Sequence, residues 1–158
     1  MRAAISEEIN QFHRYPDGGG YELKKALSTY LERDADLITL GNGSNELLDL
    51  IARITLAEGL EAIIAEHCFV AYPLAIIAAG GTPVVIPARD YNQDLSATLA
   101  AITPNTRLIY VANPNNPTGT WHTQAQIDAF LAEVPSRVWV CSIRPTLNTS
   151  GALTSAKT

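Results

Sequence analysis

The sequence lacks an apolar run long enough to cross a bilayer. Its longest candidate, residues 63–86, is interrupted by Glu66 and by Pro73, Gly80 and Gly81. A membrane-spanning helix needs about 20 consecutive, mostly apolar residues. A transmembrane segment is therefore not expected from the sequence.

Positive charge and metal-binding residues are also scarce. Eleven Lys and Arg against 16 Asp and Glu give a net charge of −5, so neither a nucleic-acid partner nor a membrane-surface partner is expected. The two cysteines, Cys68 and Cys141, lie far apart in no recognisable pattern, which favours a reduced, cytoplasmic protein. The histidines, His13, His67 and His122, share no ligand spacing with each other or with the cysteines, so no metal site is predicted.

The residues that are present indicate an α/β fold. Hydrophobic residues make up 47% of the chain and charged residues 17%, which is typical of a globular domain. Apolar residues at helical spacing predict helices at residues 21–33, 45–56, 71–79, 95–102 and 123–134. Short apolar runs predict strands at residues 62–65, 82–86, 108–111 and 137–140, with residues 37–40 as a further strand. This alternation predicts a three-layer, mostly parallel sheet flanked by helices, with ligands bound after the carboxyl ends of the strands.

A glycine-containing loop, Gly-Asn-Gly-Ser-Asn-Glu, lies at residues 41–46, between the predicted strand at 37–40 and the next helix. Glycines let the backbone approach a ligand closely, and Ser44 is expected to be the N-cap of that helix. Free backbone N–H groups at a helix start can bind an anion. The loop alone is equally compatible with a phosphate site and with an ordinary capped turn.

Two further strings are informative. Asn-Pro-Asn-Asn-Pro-Thr-Gly, residues 113–119, directly follows the predicted strand at 108–111. Its prolines and glycine predict a rigid turn that can hold an asparagine amide towards a ligand, although a turn that is merely stiff fits as well. The string Arg-Tyr-Pro-Asp-Gly-Gly-Gly-Tyr-Glu-Leu, residues 14–23, leads into the first predicted helix and alone indicates only a flexible loop.

Together, in this order and at these intervals, the three strings resemble the fold-type-I pyridoxal-phosphate aminotransferases over residues 12–140. Among these the chain is most similar to the histidinol-phosphate aminotransferases of histidine biosynthesis. The resemblance implies amino transfer between histidinol phosphate and 2-oxoglutarate, with pyridoxal 5′-phosphate as the cofactor. A threonine-phosphate decarboxylase or another class I/II aminotransferase stays open as an alternative.

The resemblance also implies roles for particular residues. Ser44, Asn45 and Glu46 match the loop that holds the cofactor phosphate, and Phe69 matches the aromatic residue that stacks on the pyridine ring, unless it belongs simply to the core. Asn116 matches the amide that hydrogen-bonds the phenolic oxygen of the cofactor.

Tyr15 matches the tyrosine that reaches the cofactor phosphate of the neighbouring subunit. This match implies a homodimer with shared active sites, acting on a small phosphorylated amino-acid substrate.

Some residues that this chemistry requires have no counterpart here. Transamination needs a Schiff-base lysine, but Lys24 and Lys25 precede the glycine loop and Lys157 lies near the end of the chain. The aspartate that pairs with the pyridine nitrogen also has no match. The chain is therefore expected to be a fragment that is inactive alone, or one half of a split enzyme that acts as a binding partner. Residues 1–20 are expected to form an N-terminal segment and loop, 21–140 an incomplete cofactor-binding large domain, and 141–158 an unstructured tail.

A single-base frameshift near residues 138–140 would explain why the pattern stops. Codons permitted for residues 141–149, read one base early, allow an Asp-x-Ala-Tyr signature at the expected place. We expect sequencing of the gene across the codons for residues 137–149 to show this shifted signature. Codons that forbid Asp and Tyr in the shifted frame would contradict it.

Overall fold

A computed structural model describes residues 2–144, which divide into two compact units, the first ending at Leu40 and the second beginning at Gly41. This division differs from the expected boundary at residues 20 and 21, because the first long helix belongs to the first unit. The expectation of an unstructured tail concerns mostly residues 145–158, which lie outside the described residues.

The first unit is helical. It contains α1 (Arg2–Glu8), a 3-10 turn (Ile9–Gln11), α2 (Tyr21–Leu31) and a second 3-10 turn (Ala35–Leu37). The predicted helix at 21–33 is thus confirmed, whereas α1 lies in a stretch expected to be a segment and loop. The expected strand at 37–40 is wrong: the 3-10 turn occupies its start, and Ile38 has extended backbone angles but pairs with no strand among the described residues.

The second unit alternates helices and strands. Its helices are α3 (Ser44–Thr55), α4 (Ala71–Ala78), α5 (Leu95–Ala100) and α6 (Gln124–Glu133). Its strands are β1 (Glu61–Ala65), β2 (Thr82–Ile86), β3 (Ala88–Arg89), β4 (Asn92–Gln93), β5 (Thr106–Ala112) and β6 (Trp139–Ile143). The sequence marks the helix starts locally. Asp94 accepts the N–H of Ala97 at 3.0 Å before α5, and Thr123 forms a capping box with Gln126 before α6.

Four strands form a parallel sheet in the order β2-β1-β5-β6, and β3 pairs with β4 as a separate antiparallel hairpin. The four strands predicted in this unit are confirmed: the strand at 82–86 has the predicted ends, and the other three differ at one or both ends. The last strand reaches Ile143, because Cys141 pairs with Tyr110 and Ile143 with Ala112. Residues 141–143 therefore belong to the sheet and not to the expected tail.

Both faces of the sheet are covered by helices. Alternate residues of the central strands separate into two cores, with Ile64 and Tyr110 facing α3 and α4, and Ile63 and Ile109 facing α5 and α6. All four side chains are at most 2% exposed. Runs of apolar residues without alternation arise because both faces of the strands are buried. The expected three-layer α/β class is confirmed.

The connections fix where a ligand site can form. From β1 the chain crosses through α4 to β2 on one side, whereas from β5 it crosses through α6 to β6 on the other. The two crossovers leave in opposite directions, so β1 and β5 flank a topological switch point. In open α/β sheets the crevice at the carboxyl ends of such strands is the usual ligand site.

Helix α3 runs antiparallel to the strands, and its first turn therefore points to the same edge. The Tyr110 hydroxyl, near the carboxyl end of β5, donates a 2.8 Å hydrogen bond to the carbonyl oxygen of Leu48 in the first half of α3. Leu56, just after α3, lies against Gly81, which precedes β2 at the opposite edge.

No helix among residues 2–144 is long and apolar enough to cross a membrane.

The Tyr110 hydrogen bond generates a stability prediction. Tyr110 is 1% exposed, and Tyr110→Phe removes the donor while keeping the ring. We expect the free energy of unfolding, measured by urea denaturation, to fall by about 1 kcal/mol, the usual net value of a buried hydrogen bond. Tyr91→Phe is the control, because that side chain is 69% exposed. Equal losses in the two variants would show that the Tyr110 hydroxyl does not anchor α3.

Candidate functional site

The glycine loop turns sharply into α3. Gly43 has φ 79° and ψ 175°, a conformation that favours glycine, and its N–H donates to the Gly41 carbonyl oxygen at 2.9 Å. Gly43 is the N-cap and Ser44 is already the first helical residue, so the expectation that Ser44 caps the helix is wrong. The reason is geometric: only the residue that precedes the helical turn can act as its cap, and here glycine takes that place.

The start of α3 presents backbone donors to solvent. Within the described residues no side chain caps this 12-residue helix, and Ser44 and Asn45 are exposed. The Glu46 carboxylate turns back and accepts the N–H of Asn42. The carboxylate is therefore occupied within the loop, and the first-turn N–H groups of α3 remain available to an anion.

The loop after β1 carries Phe69. Its side chain is half-buried and packs against the core on the α3–α4 face. Its ring meets Tyr72 edge to face, with centroids 6.0 Å apart, and Tyr72 stacks on Tyr110 at 4.9 Å. Burial raises the pKa of Tyr72 to about 12, with smaller contributions from the nearby Cys141 and Cys68, so its hydroxyl stays neutral at physiological pH. Phe69 thus has a core contact and a partly exposed surface, and both predicted roles remain compatible with its position.

The loop after β5 is closed by its own hydrogen bonds. The Asn113 side chain donates to the His122 carbonyl oxygen at 2.9 Å and accepts the His122 N–H at 2.8 Å. The Asn115 N–H donates to the Thr120 carbonyl oxygen at 2.7 Å, and the Asn115 carbonyl accepts the N–H of Gly119 at 2.9 Å. Asn116 is exposed between these closures.

The two loops at the switch point are joined by Asn115. Its Nδ2 donates to the His67 carbonyl oxygen at 2.7 Å and to the Thr118 hydroxyl at 2.8 Å. The structure therefore brings the segments that carry Phe69 and Asn116 together at the carboxyl edge of the sheet. Asn115 has no role in the sequence prediction, which distinguished only the asparagine next to Pro-Thr-Gly. The sequence signal that pointed to Asn115 was that the string contains three asparagines.

The β3–β4 hairpin, which the sequence did not predict, supports the same edge. The Ala88 N–H donates to the Glu66 carboxylate at 2.8 Å. The tip of the hairpin turns through Asp90 and Tyr91, which both have positive φ, 52° and 60°. Non-glycine residues rarely adopt that region, so the usual glycine signal of a tight hairpin is missing from the sequence.

Tyr15 belongs to the first unit and is fully exposed. Its role towards a neighbouring subunit stays a prediction.

The described residues offer no metal site, since no three His, Cys, Asp or Glu side chains among residues 2–144 are grouped suitably. Cys68 and Cys141 are free thiols. Burial raises the pKa of Cys141 to about 11 and also raises that of Cys68. Both thiols are therefore protonated at neutral pH and are poor nucleophiles.

Comparisons with known proteins agree with this geometry. The family described as "Aminotransferase class I and II" matches residues 1–142. Proteins named "Histidinol-phosphate aminotransferase 2" from Ralstonia nicotianae and Pseudomonas aeruginosa are 51% and 50% identical to the chain, over 139 and 137 residues. The alignments cover 88% and 87% of this chain but 37% of each relative.

Solved structures show the same fold. Histidinol-phosphate aminotransferase from Sinorhizobium meliloti, in complex with pyridoxal-5′-phosphate, superposes with a TM-score of 0.84 at 28% identity, over 89% of this chain and 38% of that one. Aspartate aminotransferase from Thermus thermophilus gives a TM-score of 0.82 at 22% identity, over 90% and 41%, which shows the fold alone. The chain thus spans a little more than a third of the length of these relatives. With a family match over nearly all of its described residues, the chain belongs to the class I and II aminotransferases.

Proposed function

We propose that this chain supplies the pyridoxal-phosphate-binding part of an aminotransferase that acts on histidinol phosphate and 2-oxoglutarate. The observation that carries the proposal is the shared edge of the sheet. The loops after β1 and β5 lie joined there at the switch point, and the first turn of α3 points to the same edge. The substrate rests on the names of the relatives that are about half identical.

The phosphate end of the cofactor fits the start of α3. In this proposal the backbone N–H groups around Ser44 and Asn45, with the Ser44 hydroxyl, donate to the phosphate oxygens. The helix dipole favours negative charge at this end. The Glu46 carboxylate accepts the Asn42 N–H, so it is turned towards the loop and leaves the first-turn N–H groups of α3 to the phosphate.

The ring end fits the two joined loops. The amide of Asn116 is exposed beside Pro117 and can donate to a phenolic oxygen, while the half-buried Phe69 offers an apolar surface to an aromatic ring. When bound, pyridoxal 5′-phosphate supplies the electron sink that amino transfer requires. The chain's own contribution is to hold both ends of that group and to limit its movement.

The lysine for proton transfer is assigned to no described residue. Lys24 and Lys25 lie on α2 in the first unit, and neither follows the glycine loop as the resemblance requires. We therefore propose that the 158-residue chain binds the cofactor's phosphate and ring but does not transfer amino groups alone.

A homodimer is supported by exposed apolar side chains on α3 and α4, which pack side by side in one layer. Leu50 and Ile54 of α3 are 41% and 75% exposed, and Leu74 and Ile77 of α4 are 60% and 61% exposed. Apolar surface of this kind, concentrated in one layer, is typical of an interface. A fully exposed Tyr15 is available to contact a neighbouring copy.

Binding of pyridoxamine 5′-phosphate tests the cofactor site. We choose this amine because the aldehyde of pyridoxal 5′-phosphate reacts with exposed lysines. We expect Ser44→Ala and Asn116→Ala each to weaken binding about tenfold in equilibrium dialysis, since each removes a hydrogen bond to a charged ligand. Ser136→Ala and Asn105→Ala, which alter exposed residues away from the glycine loop and the joined loops, are matched controls and should bind as the wild type does. A wild-type chain that binds no probe at millimolar concentration would refute the proposal.

The dimer proposal generates a separate prediction. We expect the wild-type chain to sediment as a dimer and Ile77→Glu to sediment as a monomer, because an unpaired carboxylate is costly to bury in an apolar interface. Ala132→Glu, which adds the same charge at an exposed position of α6 on the other face of the sheet, should leave the dimer intact. Analytical ultracentrifugation distinguishes these outcomes, and a monomeric wild type would count against this interface.

A further inference from the structure

We propose that Asn115 is a positioning residue that sets the spacing between the loop carrying Phe69 and the loop carrying Asn116. The proposal rests on the proposed function and deepens it, because it assigns a role at the same site to a residue that would not touch the cofactor. Asn115 is 7% exposed, whereas its neighbour Asn116 is exposed. Adjacent asparagines in one string therefore have different environments and different tasks.

The orientation of the Asn115 amide is fixed by its partners. The His67 carbonyl oxygen can only accept, so the NH2 group of Asn115 must face it, at 2.7 Å. The second proton of the same NH2 group is then directed to the Thr118 hydroxyl at 2.8 Å. One buried side chain thus ties the loop after β1 to the loop after β5 and stiffens the turn that follows Asn116.

The hydrogen bonds continue in one direction beyond Thr118. The Thr120 hydroxyl donates to the Tyr91 carbonyl oxygen at 3.0 Å, so its single proton is used. The Thr118 hydroxyl, 2.8 Å from Thr120 Oγ1, must therefore be the donor of that pair. Chains in which each donor is also an acceptor reinforce one another.

An aromatic contact closes this network of hydrogen bonds into a ring. The Tyr91 ring stacks on the His67 ring, with centroids 5.6 Å apart and planes 27° apart. The loop after β1, the loop after β5 and the hairpin are therefore connected in a closed path through Asn115. Removing its amide opens this path at its most buried member, whereas the other contacts lie nearer the surface.

The consequence for a ligand is preorganisation. The backbone of Asn115 already closes the short span 116–118, through its N–H to Thr120 and its carbonyl to Gly119, and the Asn115 side chain adds the bonds that fix this span against the loop after β1. A ligand that uses Asn116 then meets a residue whose backbone span is already restrained, which lowers the entropy cost of binding. Among the described residues, the hydrogen bonds of this network include none from the glycine loop 41–46, so binding at the phosphate end should be independent of Asn115.

A double-mutant cycle tests the positioning role. We expect Asn115→Ala to weaken pyridoxamine 5′-phosphate binding about tenfold, as Asn116→Ala does, and the double variant to be no weaker than either single variant by more than about twofold. Inorganic phosphate, which needs only the start of α3, should bind the wild type and these three variants alike. Losses that multiply in the double variant, or unchanged binding in Asn115→Ala, would overturn the proposal.

Amide hydrogen exchange gives a readout that needs no ligand. Asn115→Ala should speed exchange in both residues 66–70 and residues 113–122, whereas Asn105→Ala should change neither. Thr118→Val, which leaves the hydrogen bond from Asn115 to His67 in place, should speed exchange in residues 113–122 but not in residues 66–70, and Thr118→Ser, which keeps the hydroxyl, should restore protection. Faster exchange confined to residues 113–122 in Asn115→Ala would overturn the coupling of the loops. A wild-type chain that binds no probe would contradict the proposed function, while the exchange pattern would still decide whether Asn115 couples the two loops.

Discussion

The parallel pairing of β1 with β5 is the constraint on which the candidate site depends. Ile63 and Ile109 are opposite each other in this pair and are both fully buried. Strands buried on both faces cannot shift register without moving apolar side chains into contact with other layers. The chain leaves β1 and β5 through crossovers on opposite sides. The carboxyl ends of these two strands therefore flank one crevice. The topology of the sheet therefore brings the loops after β1 and β5 together, whichever side chains these loops carry.

Much of this arrangement could be predicted from the sequence, for an identifiable reason. Strands buried on both faces read as continuous apolar runs, and the Ile-Ile and Leu-Ile-Tyr-Val runs of β1 and β5 are short and clearly bounded. The strand expected at residues 37–40 shows the limit of that signal. Apolar residues there have extended backbone at Ile38 but no neighbouring strand among the described residues, and pairing partners cannot be read from a local pattern. The hairpin at Ala88–Gln93 was missed because Asp90 and Tyr91 take the positive-φ positions that glycine usually marks.

At the candidate site, the sequence composition identifies the loops, whereas only burial in the folded structure distinguishes the residues within them. The strings at 41–46 and 113–119 mark the loops correctly, and the structure joins the second of them to the loop carrying Phe69. Within a string, however, residues of one type have different tasks. Asn113 closes the base of its loop on His122, Asn115 binds across to His67, and Asn116 faces solvent. Each task depends on which backbone groups lie opposite the amide, and that depends on tertiary structure.

The composition of the glycine loop limits how this loop could hold an anionic group. The net charge is −5, the glycine loop contains no lysine or arginine, and Glu46 adds a carboxylate to the first turn of α3. Attraction by a cationic side chain is therefore unavailable within this loop, and the donors proposed for an anion are backbone N–H groups and the Ser44 hydroxyl. Such donors bind an anion well only if the loop is already ordered in that shape. Ordering a flexible loop on binding would cost conformational entropy. The Gly43 conformation and the Asn42–Glu46 contact supply that shape at the proposed phosphate end, while Asn115 supplies it in the loops proposed to hold the ring. Within the glycine loop of the proposed site, a fixed shape thus takes the place of positive charge.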